Sequence, residues 1–397
     1  VRYDTIVVGG GPAGAMAALT LAKAGVRVLL LERRKIPRYK PCGGCLSRRV
    51  ERVLPFELGK LNEEQITNLT FTWRSRDPVE ATFSEPVAYM VWRNKFDQAL
   101  CRRAIEAGAD LQDGQAVRAV RETANGIEVN FDGRTVTADF LVGADGACGV
   151  VARDLFPNRA QPRLVGLDAE LPMTSAGEAA LKGRVILDVG RAPGGYCWAF
   201  PKREMASVGV AVDRRAAKQV SSCLKSFLSS DLFRHSSPVR ITGAMLPVYH
   251  DGIGPLHRGR ALLTGDAASL VDPFLGEGIY YALQSGQLAA QAILTAGSHG
   301  GDLSSYQTAV STTIIPELEA AGRLSRVAHR MPWLWFRVLK WRRGMIDLYR
   351  KVLVGETNYR VFEEQIWAAT PRPVVMLFDL WAGRADLSDR RQKLGNW

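Results

Sequence analysis

Three stretches, far apart in the chain, carry residue types suited to holding a phosphorylated redox cofactor. Val7-Val8-Gly9-Gly10-Gly11-Pro12-Ala13-Gly14 has the Gly-x-Gly-x-x-Gly spacing. Missing side chains there let the backbone approach a pyrophosphate, whose charge sits on a helix N-terminus. The second stretch is Gly143-Ala144-Asp145-Gly146. The third is Gly265-Asp266-Ala267-Ala268, followed by Pro273 to Ile279. In it an acid follows an apolar run, and a turn bounded by Gly276 and Gly278 then opens a helix. Asp266 can bond a ribityl or pyrophosphate portion. Amides at the start of that helix can stabilise negative charge on a reduced flavin ring. Together the stretches fit one FAD, with Gly11 and Gly14 at the pyrophosphate.

Such residues need a β-α-β frame. Tyr3 to Val8 reads as a strand, Ala13 to Ala24 as a helix closed by Gly25, and Val26 to Leu31 as a second strand finishing at Glu32. Glu32, about 20 residues past the glycines, suits the adenosine ribose hydroxyls and argues against a 2′-phosphate in this half. Ile66 to Trp92 alternates polar and apolar, as strands of a separate sheet do. Arg93, preceding a helix read over Phe96 to Ala107, suits a phosphate or flavin contact. Ala116 to Val142 reads as a β-meander with turns at Asn125-Gly126 and Asp132-Gly133. Leu164 to Val212 reads as further strands, Arg260 to Thr264 as a buried strand, and the chain past Gly276 as almost wholly helical.

The expected fold class is α/β. A discontinuous Rossmann-like FAD-binding domain is read over 1–65, 93–163 and 255–300. A second, antiparallel-sheet substrate domain covers 66–92 and 164–254, and a helical C-terminal region covers 301–397.

Composition narrows the function classes. A net charge of +12 suits an acidic partner protein, an anionic membrane surface or nucleic acid. With no zinc spacing and no RNA-binding signature, neither a metal nor a nucleic-acid partner is expected. No apolar run reaches the roughly 18–20 residues that span a bilayer. No secretory leader is read, and six cysteines in 397 residues do not form a disulfide framework, so a cytoplasmic setting is expected.

Lys40-Pro41-Cys42-Gly43-Gly44, the motif Tyr196-x-Trp198-x-Phe200-Pro201 with Gly209 after it, and the Gly265 to Ile279 stretch carry a resemblance. Over roughly residues 1 to 300 the chain resembles the geranylgeranyl reductase family of FAD-dependent oxidoreductases, within the p-hydroxybenzoate hydroxylase-like flavoproteins. The resemblance implies that Ala13, Glu32, Cys42, Gly43, Cys45, Arg93, Val117, Asp266, Gly278 and Ile279 line FAD. It also implies that the aromatic motif lines a pocket for an isoprenoid chain. Tyr196, Trp198 and Phe200 alternate, so they share one face of a strand and make a slot for a long apolar ligand. The implied reaction is hydride transfer from flavin to a C=C bond, with Cys42 and Tyr196 as candidates for moving the proton.

Several features leave alternatives open. Cys42 and Cys45 could form a redox pair, or Cys42 could simply pack beside the flavin. No second nucleotide fingerprint appears, so the reductant is NADPH bound without its own Rossmann domain, or a protein such as reduced ferredoxin. The basic run Arg33, Arg34, Lys35, Arg38 and Lys40 could steer an acidic carrier or NADPH phosphates, or be a solvated loop. Met331 to Arg343 mixes tryptophans with arginines, fitting either peripheral membrane contact or a helix packed on the rest. The competing functions are an FAD monooxygenase acting on an apolar substrate, and a lipid-binding flavoprotein that leaves its lipid unchanged.

Overall fold

Thr5-Ile6-Val7-Val8 is entirely buried and ends the central strand Arg2–Val8. Val28–Glu32 and Arg134–Gly143 flank it in parallel. All five residues of Val28–Glu32 are buried, as parallel strands covered on both faces are. The computed structural model describes residues 2–157, 164–297, 301–342 and 344–370. In the first sheet the strand order is His257–Arg258, Ala261–Leu263, Arg134–Gly143, Arg2–Val8, Val28–Glu32, Asp110–Asp113. The meander strands Val117–Thr123 and Gly126–Phe131 extend it through Arg134–Gly143.

The helix Pro12–Lys23 follows the glycine turn, and the later helix Ile279–Ala296 crosses it closely. A Cβ at Gly286 would lie 2.2 Å from the Ala13 carbonyl oxygen, so only glycine permits that crossing. This contact brings the segment after Ala261–Leu263 beside the first turn, although some 250 residues separate them in sequence.

A second sheet runs Arg240–Leu246, Leu164–Pro172, Met205–Asp213, Tyr196–Lys202, Arg184–Val189, Asn68–Trp73, Arg76–Thr82. It is antiparallel except where Arg184–Val189 meets Asn68–Trp73 in parallel, the seam between two separate excursions of the chain. Alternation along Tyr196–Lys202 sends Tyr196 and Trp198 to one apolar cluster and Cys197 and Ala199 to another. The helix Val220–Leu228 covers the second cluster with Val220, Leu224 and Phe227.

Two expectations need adjustment. A three-stranded sheet of Cys45–Ser47, Ala88–Met90 and Glu64–Ile66 straddles the boundary expected at residue 65, because Ala88–Met90 pairs with both other strands. The stretch 164–212 is interrupted by the helix Ser175–Leu181, which Thr174 caps by accepting from the Gly177 amide at 3.2 Å. The C-terminal region is helical over Ser304–Thr313, Ile315–Arg330, Pro332–Trp341, Gly344–Leu353 and Tyr359–Ala369. Residues 371–397 of the expected helical region lie outside the described residues.

Candidate functional site

The first turn is built by what its glycines lack. Gly9 has φ +109°, and a Cβ on Gly14 would sit 1.9 Å from the Gly9 carbonyl oxygen. Any side chain there would push the helix off the turn. Gly11 is the helix N-cap, and the helix has neither a side-chain cap nor an acid in its first turn. Its leading amides are therefore available to an anion, and the cradle fits a pyrophosphate. Glu32 is buried at the end of its strand. One carboxylate oxygen accepts from the Gly10 amide at 3.0 Å and pairs with Arg38 at 3.1 Å. Its partners thus fix the glycine turn to the second strand. Val117 is buried at the start of its strand, opposite Phe131.

Arg38 corrects the reading of the basic run. Its guanidinium is buried between Glu32 and Asp97, with the Asp97 contact at 2.9 Å. Lys40 reaches Asp266 at 3.1 Å and Lys35 reaches Asp113 at 2.8 Å. Three of the five cations are therefore paired within the chain, and Arg33 and Arg34 are exposed with no ion pair among the described residues. Arg93 is likewise engaged. It is the first residue of the helix Arg93–Glu106 rather than a residue before it, and it forms a two-pronged contact with Asp97 at 2.9 Å.

The third stretch turns through a short helix, Gly265–Ala268, into the segment ending at Gly278, N-cap of Ile279–Ala296. Burial opposes ionisation of Asp266, yet Lys40 and Arg93 hold its pKa below the usual carboxylate value. Asp272 organises the turn by accepting from the Phe274 amide at 2.7 Å, the Leu275 amide at 3.1 Å and the Tyr359 hydroxyl at 2.8 Å. Burial pushes Asp272 up to about 6. Glu277 bonds Ser47 and Arg49, and Arg49 also reaches Glu317 at 3.0 Å and the Tyr281 hydroxyl at 3.0 Å. The helix opening at Gly278 has no side-chain cap, so its amides too are free to face a negative ring edge.

Cys42, Gly43 and Cys45 form the loop between these halves. Both cysteines are free thiols, and the Cys42 sulfur accepts from the Gly44 amide at 3.4 Å. Burial, with Glu277 and Cys42 adding, pushes Cys45 up to about 12. The aromatic strand lies directly on this loop: a Cβ on Gly43 would be 2.6 Å from the Phe200 ring. Trp198 packs 6.2 Å from Tyr196 and 6.3 Å from Phe200 between ring centroids. Gly209 makes room for it, since a Cβ there would lie 2.1 Å from the Trp198 ring. At the other end, the Tyr196 hydroxyl donates to the Leu275 carbonyl, and burial raises its pKa. Its proton is therefore committed to the turn, which makes Tyr196 a link between sheet and turn rather than a ready acid.

Residues outside every motif complete the site. His329, from helix Ile315–Arg330, has its ring 6.5 Å from Tyr196 and its Nδ1 3.1 Å from the Ser325 hydroxyl. Burial lowers its pKa to about 4. Helical spacing from Ser325 was the available signal, but nothing local shows what the histidine faces. Behind Tyr196 the apolar cluster continues into the C-terminal helices around a cavity of about 20 Å³ lined by Phe71, Phe274, Trp335, Leu339, Tyr349 and Phe362. The tryptophan-arginine segment divides accordingly. Trp335 and Phe336 are buried, whereas Trp333 is 57% and Trp341 65% exposed, with Arg337 and Arg342 stacked on them.

Residues 2–163 match the FAD binding domain model, and residues 172–246 match the geranylgeranyl reductase catalytic domain model. The chain is 32% identical to a geranylgeranyl diphosphate reductase of Rhodobacter capsulatus, over 74% of this chain and 75% of that protein. It is 30% identical to a digeranylgeranylglycerophospholipid reductase of Methanocaldococcus jannaschii, over 73% and 76%. Among solved structures, a geranylgeranyl bacteriochlorophyll reductase-like protein from Thermoplasma acidophilum superposes with a TM-score of 0.69 at 23% identity, covering 82% of this chain and 88% of that one. The flavin-dependent brominase Bmp2 shares the fold with a TM-score of 0.71 at 17% identity, over 93% and 99%. On these matches the chain belongs to the geranylgeranyl reductase family of FAD-dependent oxidoreductases.

Proposed function

We propose that this protein saturates C=C bonds of an isoprenoid chain, using FAD as the immediate hydride source. The observation that carries the reading is the placement of Tyr196, Trp198 and Phe200. Their one sheet face is tied to the Leu275 turn at one end and lies on Gly43 at the other. An apolar chain laid along that face would lie against both segments assigned to the flavin ring. Reduced FAD supplies a hydride to one alkene carbon.

The chain's own residues do the rest. The cradle of Gly11, Ala13 and Gly14 holds the pyrophosphate, Glu32 the ribose end, and Asp266 the ribityl portion. The amides around Gly278 and Ile279 would face the pyrimidine edge, whereas the Gly276 amide donates to the Asp272 carbonyl at 3.1 Å and only shapes the turn. Cys42, Gly43 and Cys45 form the other wall, with Arg93 and Val117 further along the cofactor. The aromatic slot excludes water and fixes the alkene, which has no carbonyl to absorb charge and so depends on positioning. A proton must reach the second carbon. Cys42 is the proposed proton donor, one of two free thiols in the loop under Phe200; Cys45 packs against the Tyr196 and Trp198 cluster, and Tyr196 positions the strand that forms the slot.

The electron donor is NADPH or a reduced ferredoxin, with exposed Arg33 and Arg34 as the steering charges for an acidic carrier. Exposed Trp333 and Trp341, flanked by arginines, suit contact with an anionic membrane surface where a prenyl lipid resides. Among the described residues no helix is long and apolar enough to cross a membrane.

The test is anaerobic incubation of the reduced protein with geranylgeranyl diphosphate, followed by mass spectrometry. A gain of one dihydrogen per reduced bond supports the reading. Turnover only in oxygen would identify a monooxygenase, and no mass change with several polyprenyl substrates would identify a lipid-binding flavoprotein.

A further inference from the structure

The alternating stripe does not end with its aromatic members. The next residue on that face is Lys202, the last of the strand, only 2% exposed. Lysines are almost never fully buried unless paired. Among the described residues, however, its ammonium makes no hydrogen bond and no ion pair. It rests on the face of Trp92, with Nζ 4.0 Å from the ring centroid. Such contact favours a cation but does not replace a counterion.

Its other neighbour is the Cys42–Cys45 loop: a Cβ on Gly44 would be 3.1 Å from Nζ. Two of the three nearby acids are engaged elsewhere. Asp168 accepts from Ser207 at 2.5 Å, and Glu63 pairs with Lys95 at 2.8 Å and Arg203 at 3.1 Å. Burial lowers the Lys202 pKa, while Asp168, Cys42, Glu170 and Glu63 draw it back towards the charged form.

A buried cation without a partner is costly, and the natural compensation is an anion from outside the chain. Resting on the assignment of the Cys42–Cys45 loop to FAD, we propose that Lys202 faces the flavin ring and stabilises the negative charge the ring gains on two-electron reduction. A diphosphate head group fits the site poorly. It carries several charges, needs several donors, and would meet Asp168, Glu170 and Glu63 beside this one enclosed ammonium.

Sulfite reports such a cation without any isoprenoid. Its lone pair forms a bond to N5 of oxidised flavin, and the displaced electron pair leaves the negative charge around N1 and the C2 carbonyl. The experiment titrates FAD-loaded wild type and Lys202→Met with sulfite, following loss of visible absorbance. Lys202→Arg serves as the charge-retaining control. The methionine variant should bind sulfite roughly a hundred- to a thousandfold more weakly, the effect of one charge about 4–6 Å away at an effective dielectric near 20. The arginine variant should lie closer to wild type.

Unchanged sulfite affinity in Lys202→Met overturns the proposal, and a loss confined to geranylgeranyl diphosphate binding reassigns the cation to the head group. If the variant holds FAD loosely, the dissociation constants of oxidised and reduced FAD decide. Weakening of the reduced form alone supports the proposal, and equal weakening overturns it. A wild-type chain that takes up no flavin would sink the cofactor assignment itself, an outcome distinct from either.

Discussion

At the scale of single residues, the site is set by a few atoms that are absent and a few that are buried. Gly209 is the sharpest case, because its missing Cβ is the space the Trp198 ring fills. Gly209→Ala should cost about 1–3 kcal/mol of stability through overpacking, measured by denaturant unfolding. It should also reduce isoprenoid turnover more than FAD binding, since the glycine cradle is untouched. His329 gives a pH signature. Burial lowers its pKa to about 4, whereas an unfolded histidine titrates near 6.5. The unfolded chain therefore takes the proton first. The stability contributed is full above about 6.5 and is lost as pH falls towards 4. His329→Gln should flatten the melting temperature across that window; an identical slope in the variant would rule the histidine out. Asp145 and Asp272 act in the opposite sense. Burial raises each to about 6, so their contribution is full below the unfolded value near 3.9 and is lost as pH rises through about 6.

At the scale of elements, the turn proposed to hold the flavin ring is fixed by three parts of the chain that meet at Arg49. The arginine comes from the short helix Arg48–Arg52, Glu277 from the turn, and Glu317 from Ile315–Arg330, with Tyr280 stacked on the guanidinium at 4.2 Å. Removing the cation leaves two carboxylates in a largely buried setting. Arg49→Met should lower stability by about 3–5 kcal/mol, the usual cost of breaking one side of a buried pair. The thermal shift on adding FAD should shrink in the same variant, because Glu277 sits between Gly276 and Gly278. A variant that melts like wild type would show that the turn holds its shape without this junction. Tyr196 joins the second sheet to the same turn, so Tyr196→Phe keeps the packing while freeing the Leu275 carbonyl. It should impair turnover without emptying the FAD site, a split read by comparing visible absorbance with product formation.

At the scale of the whole molecule, the second sheet, the three-stranded sheet and a helical cap meet around one apolar cluster. That cluster runs from Tyr196 and Trp198 into the helices Pro332–Trp341 and Gly344–Leu353. The same cap turns Trp333 and Trp341 outward. Replacing both with serine should weaken sedimentation with vesicles of anionic phospholipid by about tenfold or more while leaving the fold intact, since neither ring supports the core. Equal sedimentation of variant and wild type would remove the membrane from the account.

The sequence by itself determined the features whose cause is local. Gly9, Gly11 and Gly14 announce a turn and an open helix N-terminus, Glu32 closes a wholly apolar strand, and residues 196, 198 and 200 must share a face once they lie in a strand. Each follows from backbone geometry or period within a few residues. Only the tertiary structure decided what the charged and polar groups meet. Arg38 and Lys40 read as a surface run but pair with Asp97 and Asp266, and Arg93 spends its guanidinium on Asp97. The Tyr196 hydroxyl, the His329 ring and the enclosed ammonium of Lys202 were equally invisible in sequence. Their partners lie on other elements, most of them brought near by packing between sheets and helices, and packing across such separations leaves no periodic trace in the chain.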